Sequence, residues 1–300
     1  MSHSGFFRGS HKRQDLVSTK WLLERLERPD IVVVDASVSK IDDIWLTDHL
    51  AFEAGHIPGA RFADLVSDFS DPQAPFAFPR PTAARLASAA GTIGLTNRQQ
   101  IVVYDNTTGI WAARLWWLFK AFGHDKVAVL DGGLTAWLAE SGPLKRGASA
   151  FELTGFKASE RPGFFVDQRD VLAIVEGRTR GRLVCVLRPE VFAGTEQRYS
   201  RPGHIPLSVN LPYVELLGPD NRFLPERALR KALAPLFSGD ERLILYCGGA
   251  VTAAGTALVL TLLGAADISI YDGSLSEWSA NPSLPMVVDF DSTFKASRSA

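Results

Sequence analysis

The chain has 300 residues, 46% of them hydrophobic and 22% charged, enough apolar material to bury about two domain cores. Its 32 basic and 33 acidic residues leave a formal net charge of -1, which supplies no general attraction for nucleic acid or an anionic membrane. Two cysteines, Cys185 and Cys247, are too few for a disulfide framework and point to a reducing, cytoplasmic compartment.

The opening residues MSHSGFFRGSHKRQD are polar and lack the apolar run of a signal peptide. STKWLLERLE then reads as a helix capped by Ser18 or Thr19 and stopped before Pro29-Asp30. IVVVD, Ile31 to Asp35, is a buried-strand run, and a Gly-His-Ile-Pro turn follows at residues 55 to 58. Further strands are expected at IVVYD, Ile101 to Asp105, and KVAVLD, Lys126 to Asp131, with the apolar helix RLWWLFKAFGH between them. Residues 142 to 163 carry turn formers and mixed polarity and are expected to link two halves. Beyond them RLVCVL buries Cys185 in a strand, Gly-His-Ile-Pro returns at 203 to 206, and LILYC delivers Cys247 to a glycine turn. Ala253 to Leu263 reads as a core helix; the longest apolar run, Ala257 to Ala266, contains Thr261 and Gly264 and is too short to span a bilayer. The tail DSTFKASRSA is polar and expected to fray.

These landmarks are an internal repeat. Gly-His-Ile-Pro recurs 148 residues later; IVVYD matches LILYC; and Leu130-Asp131-Gly132-Gly133 with Trp137 matches Tyr271-Asp272-Gly273-Ser274 with Trp278. Strands alternating with helical patterns in each half imply parallel α/β architecture. The expectation is two tandem α/β domains, 10–142 and 160–292, each a small mostly parallel sheet with helices on both faces. Asp105 occupies the position of Cys247 in the first copy.

Strand, glycine turn and helix at 243 to 263 make a site-building unit. Amides of the loop and first helical turn, with the helix dipole, favour a thiolate at Cys247. The bland alternative is a plain core cysteine, a common fate for this residue type. Gly248 and Gly249 favour the site, because they let amides approach a charged group closely. Thr252 is either the helix N-cap or an extra hydroxyl donor.

The ordered landmarks GHIPGA, GHIP, RLWWLFKAFGH, VLDGG, CGGAVTA and YDGSLSEW resemble those of the tandem-domain rhodanese family of sulfurtransferases, which includes the 3-mercaptopyruvate branch. The resemblance spans nearly the whole chain. It implies an inactive first domain and a catalytic second domain whose cysteine carries sulfur as a persulfide, with no cofactor or metal. It also implies a small-molecule donor, 3-mercaptopyruvate or thiosulfate, and a thiol or cyanide acceptor. The persulfide would lie among Gly248, Gly249, Ala250, Val251 and Thr252. The rhodanese loop resembles Cys-Arg-Lys-Gly-Val-Thr and the mercaptopyruvate loop Cys-Gly-Ser-Gly-Val-Thr. Lacking both cations, Cys-Gly-Gly-Ala-Val-Thr leans to the second.

Several positions depart from the family pattern. Gly249 stands for the loop serine, Ala250 for a glycine, and Val191 for the substrate arginine. Arg188 and Arg198 are the alternative carboxylate donors, each equally readable as a solvated surface residue. The resemblance implies a proton relay through His56 with Asp48, which Gly249 interrupts; a loop-knitting role is the main reading of both His56 and His204. Asp131 and Asp272 are expected to cap turns, and Trp116, Trp117, Trp137 and Trp278 to pack in cores or between domains. A cysteine phosphatase needs an arginine six residues after its cysteine, where this chain has Ala253. No Cys-x-x-Cys pair, phosphate loop or dinucleotide fingerprint is present. An active sulfurtransferase is favoured, with a catalytically weakened sulfur-relay or binding module as the alternative.

Overall fold

The structure, a computed structural model, describes residues 15–42, 44–148 and 151–289. The expectations for the opening segment and the tail fall on residues outside these ranges, as do the outer ends of the two expected domains.

The first half runs β1 (Leu16–Val17), α1 (Thr19–Leu23), β2 (Ile31–Asp35), a hairpin of β3 (Val38–Ile41) and β4 (Ile44–Thr47), α2 (His49–Ala54) and β5 (Arg61–Phe62). It continues with α3 (Ala83–Thr92), β6 (Gln100–Tyr104), α4 (Ile110–Ala121), β7 (Val127–Leu130) and α5 (Gly133–Ala139). The second half comprises β8 (Phe165–Val166), α6 (Gln168–Val175), β9 (Arg182–Cys185), α7 (Pro189–Ala193), β10 (Val209–Asn210), α8 (Glu226–Leu233), β11 (Leu243–Tyr246), α9 (Val251–Leu262), β12 (Ile268–Tyr271) and α10 (Ser274–Ala280). Two parallel five-stranded sheets result, ordered β1-β7-β6-β2-β5 and β10-β9-β11-β12-β8. Read in opposite directions the two orders are the same, so the sequence repeat is also a structural one.

Strand alternation sorts the cores. Ile101 and Val103 of β6, with Leu243 and Leu245 of β11, face one central core that includes residues of α3, α4, α8 and α9. Val102 and Tyr104 face a separate core with α1, α2 and α5, while Ile244 and Tyr246 face a third with α6 and α10. Helices therefore cover both faces of each sheet. The central core is continuous across the halves because α4 and α9 pack on each other. Ala112, Ala113, Ala253, Ala254 and Ala257 keep these helices thin, and each larger apolar side chain buried between them contributes about 1.5–3 kcal/mol.

Local signals explain the boundaries. Ser18 Oγ accepts from Trp21 N at 3.2 Å to start α1, but the helix stops at Leu23, several residues short of the expected run. Helix α9 begins at Val251, two residues before its expected start, with Ala250 at the N-cap. Thr252 consequently lies inside the first turn and caps nothing. From 151 to 163 the chain forms no helix or strand and is tied to the first domain: Phe156 is buried, Thr154 N donates to Gly91 O at 3.0 Å, and Arg161 N donates to Ala121 O at 2.7 Å.

Candidate active site

Cys247 is the first residue beyond β11, at the junction between strand and helix, and is only 2% exposed, bordering the central core. Ala250 adopts φ 61°, a left-handed conformation that lets the loop turn sharply into α9. For a residue with a Cβ this costs roughly 1–2 kcal/mol. Ser274 Oγ accepts from Cys247 N and Ala250 N, each at 3.2 Å, and donates to Tyr271 O at 2.8 Å. Leu275 N donates to Cys247 O and Ser276 N to Gly248 O, each at 3.0 Å. The loop is thus held from behind by the start of α10. In front, no side chain caps α9. Among the described residues, nothing accepts from the amides of Gly248, Gly249, Val251 or Thr252, the unsatisfied donors of a loop and helix N-terminus.

The first copy shows what such a junction holds. Asp105 is fully buried, and its Oδ1 accepts from Thr107 N (2.8 Å), Thr107 Oγ1 (3.0 Å) and Gly109 N (3.0 Å). Its Oδ2 accepts from Trp111 N at 2.9 Å and Ala112 N at 3.0 Å. Five donors from one loop and one helix end converge on two oxygens, which makes the position an anion cradle even without solvent. Gly109, at φ 80°, caps α4 as Ala250 caps α9. The second copy places a cysteine sulfur at the same strand end.

The other candidates sit in different surroundings. Val191 is buried and apolar, so no arginine approaches from its position. Arg188 and Arg198 have side chains 46% and 57% exposed, and both bind Glu196: Arg188 Nη2 to Oε2 and Arg198 Nε to Oε1, each at 2.5 Å. These contacts hold the Glu196 carboxyl below the usual carboxylate range, the Arg198 hydrogen bond contributing most. His56 belongs to the outer core of the first domain, stacked on Phe52 at 3.9 Å with Nδ1 2.8 Å from Phe52 O. His204 repeats this on Phe192, at 3.6 Å and 2.8 Å. Asp48 Oδ2 accepts from Asn106 Nδ2 at 2.8 Å, beside the first-domain cradle. Burial pushes the Cys185 thiol up to about 12.

Asp131 and Asp272 do not cap their own helices, which corrects the expectation. Asp272 crosses to the first domain: Oδ1 accepts from Arg114 Nη2 at 2.8 Å and Oδ2 from Arg80 N at 2.7 Å. Arg114 Nη2 also donates to Phe78 O at 2.7 Å. This clasp sets residues 77 to 80 against the cysteine loop, where a Cβ on Gly249 would meet Ala77 O at 3.1 Å. Asp131 makes the mirror contact, its Oδ1 accepting from Phe223 N of the second domain at 3.0 Å. Each half closes the other's loop.

Four contributors escaped sequence reasoning: Ser274, Tyr199, Arg114 and the 77–80 segment. Ser274 had a signal, since it replaces Gly133 in the repeat and keeps its left-handed backbone, at φ 49° against 54°. Tyr199 lies over Gly248, where an added Cβ would overlap its hydroxyl and ring. Trp111 packs beside the first-domain cradle with Phe78 (4.8 Å) and Trp45 (5.2 Å).

Comparison with known proteins agrees with this arrangement. The rhodanese-like domain model matches residues 18–140 and 190–281. The chain is 34% identical over 280 residues to the 3-mercaptopyruvate sulfurtransferase of Rattus norvegicus, covering 88% of this chain and 91% of that protein. It is 32% identical over 283 residues to the thiosulfate sulfurtransferase of Cricetulus griseus, covering 88% and 91%. Among solved structures, the Escherichia coli 3-mercaptopyruvate sulfotransferase SseA, described as having the "Rhodanese" fold, matches with a TM-score of 0.76 at 29% identity, over 87% of this chain and 98% of that one. With one rhodanese-like segment in each half, this chain belongs to the rhodanese-like family as a tandem two-domain member.

Proposed function

We propose that the protein is a sulfurtransferase that takes a sulfane sulfur from 3-mercaptopyruvate, or less readily from thiosulfate, and passes it to a thiol or cyanide through a persulfide on Cys247. The observation that carries this reading is the pairing of Asp105 with Cys247. The same backbone junction is filled by a five-fold hydrogen-bonded carboxylate in one copy, and in the other it carries Cys247 at the strand end beside a loop and helix start whose amides have no side-chain cap.

In the first half-reaction the Cys247 thiolate attacks the donor sulfur. The S–S bond forms as the C–S bond breaks, and the electron pair leaves on the methylene carbon as the pyruvate enolate. The proton on the donor thiol ends on that carbon, so thiolate plus 3-mercaptopyruvate gives persulfide anion plus pyruvate. In the second half-reaction cyanide or a thiolate attacks the outer sulfur and returns the Cys247 thiolate. Loop and helix amides hold the anion in both directions without reorganising. Thiosulfate is a dianion, and no cationic side chain lies in the loop from 248 to 252. Arg188 and Arg198 are the side chains we assign to the donor carboxylate, which would share them with Glu196.

The near-complete burial of Cys247 and the apolar Val191 favour a second reading, a relay or binding module with little turnover. Intact mass after incubation with each donor separates the two: the enzyme gains one sulfur from 3-mercaptopyruvate, and Cys247→Ser does not. No adduct from either donor favours the module. We assign the catalytic half to 160–292 and the inactive half to 10–142. A reducing, cytoplasmic location is supported by two cysteines that are both free thiols. Among the described residues, no helix is long and apolar enough to cross a membrane.

A further inference from the structure

The pyruvate enolate that leaves the transferred sulfur carries a developing negative oxygen, and the loop serine that could meet it is absent, since Gly249 holds that position. We infer that the Tyr199 hydroxyl is the hydrogen-bond donor to this enolate oxygen, a catalytic role that rests on the sulfurtransferase reading above.

Position is the first argument. Tyr199 packs so closely on Gly248 that any side chain there would overlap its hydroxyl oxygen and ring. The phenol group is therefore set against the residue that follows the nucleophile. Cys247 and Arg198 are both electrostatic neighbours of this hydroxyl, so a donor whose sulfur meets Cys247 and whose carboxylate meets Arg198 brings its carbonyl towards the tyrosine. The ring is anchored by packing against the outer core of the second domain while the residue as a whole stays half-buried, so a ligand can reach it.

Availability is the second. Among the described residues, no group bonds to the Tyr199 hydroxyl, whereas Tyr213 spends its own on Thr108 O at 2.8 Å and Tyr246 on Ser208 Oγ at 2.8 Å. Burial, and then the neighbouring Cys247 and Cys185, push the Tyr199 ionisation well above its ordinary value. The group stays a neutral O–H that donates without losing its proton, which is what a fixed oxyanion donor requires. The first copy has no counterpart: the repeat offset places Ala51 of α2 there. The tyrosine thus belongs to the half that carries the cysteine.

The proton balance is unchanged from the half-reaction above. Tyr199 keeps its proton, the enolate carbon takes the one released by the transferred sulfur, and only the charge on the enolate oxygen is stabilised. Discharge to cyanide, persulfide plus cyanide giving thiolate plus thiocyanate, forms no enolate and draws nothing from this hydroxyl.

Single-turnover measurement of the two half-reactions tests the assignment. Sulfur loading from 3-mercaptopyruvate is followed by pyruvate release and intact mass, and discharge to cyanide is followed by thiocyanate, the persulfide having been brought to completion beforehand. Tyr199→Phe is expected to slow loading relative to discharge on the order of 100-fold, the scale of losing one oxyanion donor. A partly misfolded variant lowers both amplitudes and leaves the ratio of rates untouched. Equal slowing of both steps, or no slowing of loading, overturns the role of Tyr199. A wild-type chain that takes up no sulfur overturns the sulfurtransferase reading itself and this inference with it.

Discussion

The two cysteines, 62 positions apart, show how little residue type says without its surroundings. Cys185 sits in register with Tyr246 inside the second sheet, fully buried, and burial raises its thiol to about 12 from an ordinary 9.0. The folded state thus holds this proton more tightly than the unfolded chain. That contribution is complete below about pH 9 and is lost as pH climbs towards 12. Cys185→Ala should therefore flatten the alkaline fall in unfolding free energy relative to wild type, as read from urea titrations at several pH values across that window. Parallel profiles for the two proteins would show that Cys185 does not titrate on unfolding. Cys247 lies just past the end of the adjacent strand, where the ladder stops and the loop into α9 begins.

At the scale of elements, the loop after β11 depends on what grips it from both sides. Ser274 at the start of α10 fixes the loop from behind, and the Arg114–Asp272 pair draws residues 77 to 80 over its front. That pair is nearly closed to water, with side chains 1% and 7% exposed, so removing one partner leaves an uncompensated charge and costs about 3–5 kcal/mol. Arg114→Met is expected to lower stability by about that amount. Combined with Asp272→Asn, it should cost less than the two single changes added, because the charges answer each other. Denaturant titration of the four proteins measures the coupling; strict additivity would mean the ion pair contributes nothing beyond its separate contacts. Glycines in the same region serve close approach: a Cβ on Gly255 would run into the Tyr213 ring, which bridges from the second domain to Thr108 O of the first.

Across the whole molecule, α4 and α9 make one core out of two sheets. Heating should therefore give a single calorimetric transition with matching calorimetric and van't Hoff enthalpies, since neither half keeps its central apolar face covered alone; two resolved transitions would show that the shared core does not couple the halves. The repeat, the α/β class and the cysteine junction were legible in the sequence because each is a local pattern: strand alternation, turn residues and a repeated Gly-His-Ile-Pro. Asp105 opposite Cys247 was legible for the same reason. The crossing of Asp131 and Asp272 to opposite domains was not, because those partners meet only when the two halves pack together, nor was Tyr199 over Gly248, a contact within the second domain between residues 49 positions apart. By itself the sequence determined which strand end carries the sulfur and which carries the carboxylate, through periodicity and turn chemistry. Tertiary structure alone decided what closes over that sulfur, because long-range side-chain contacts follow from packing geometry that no local pattern encodes.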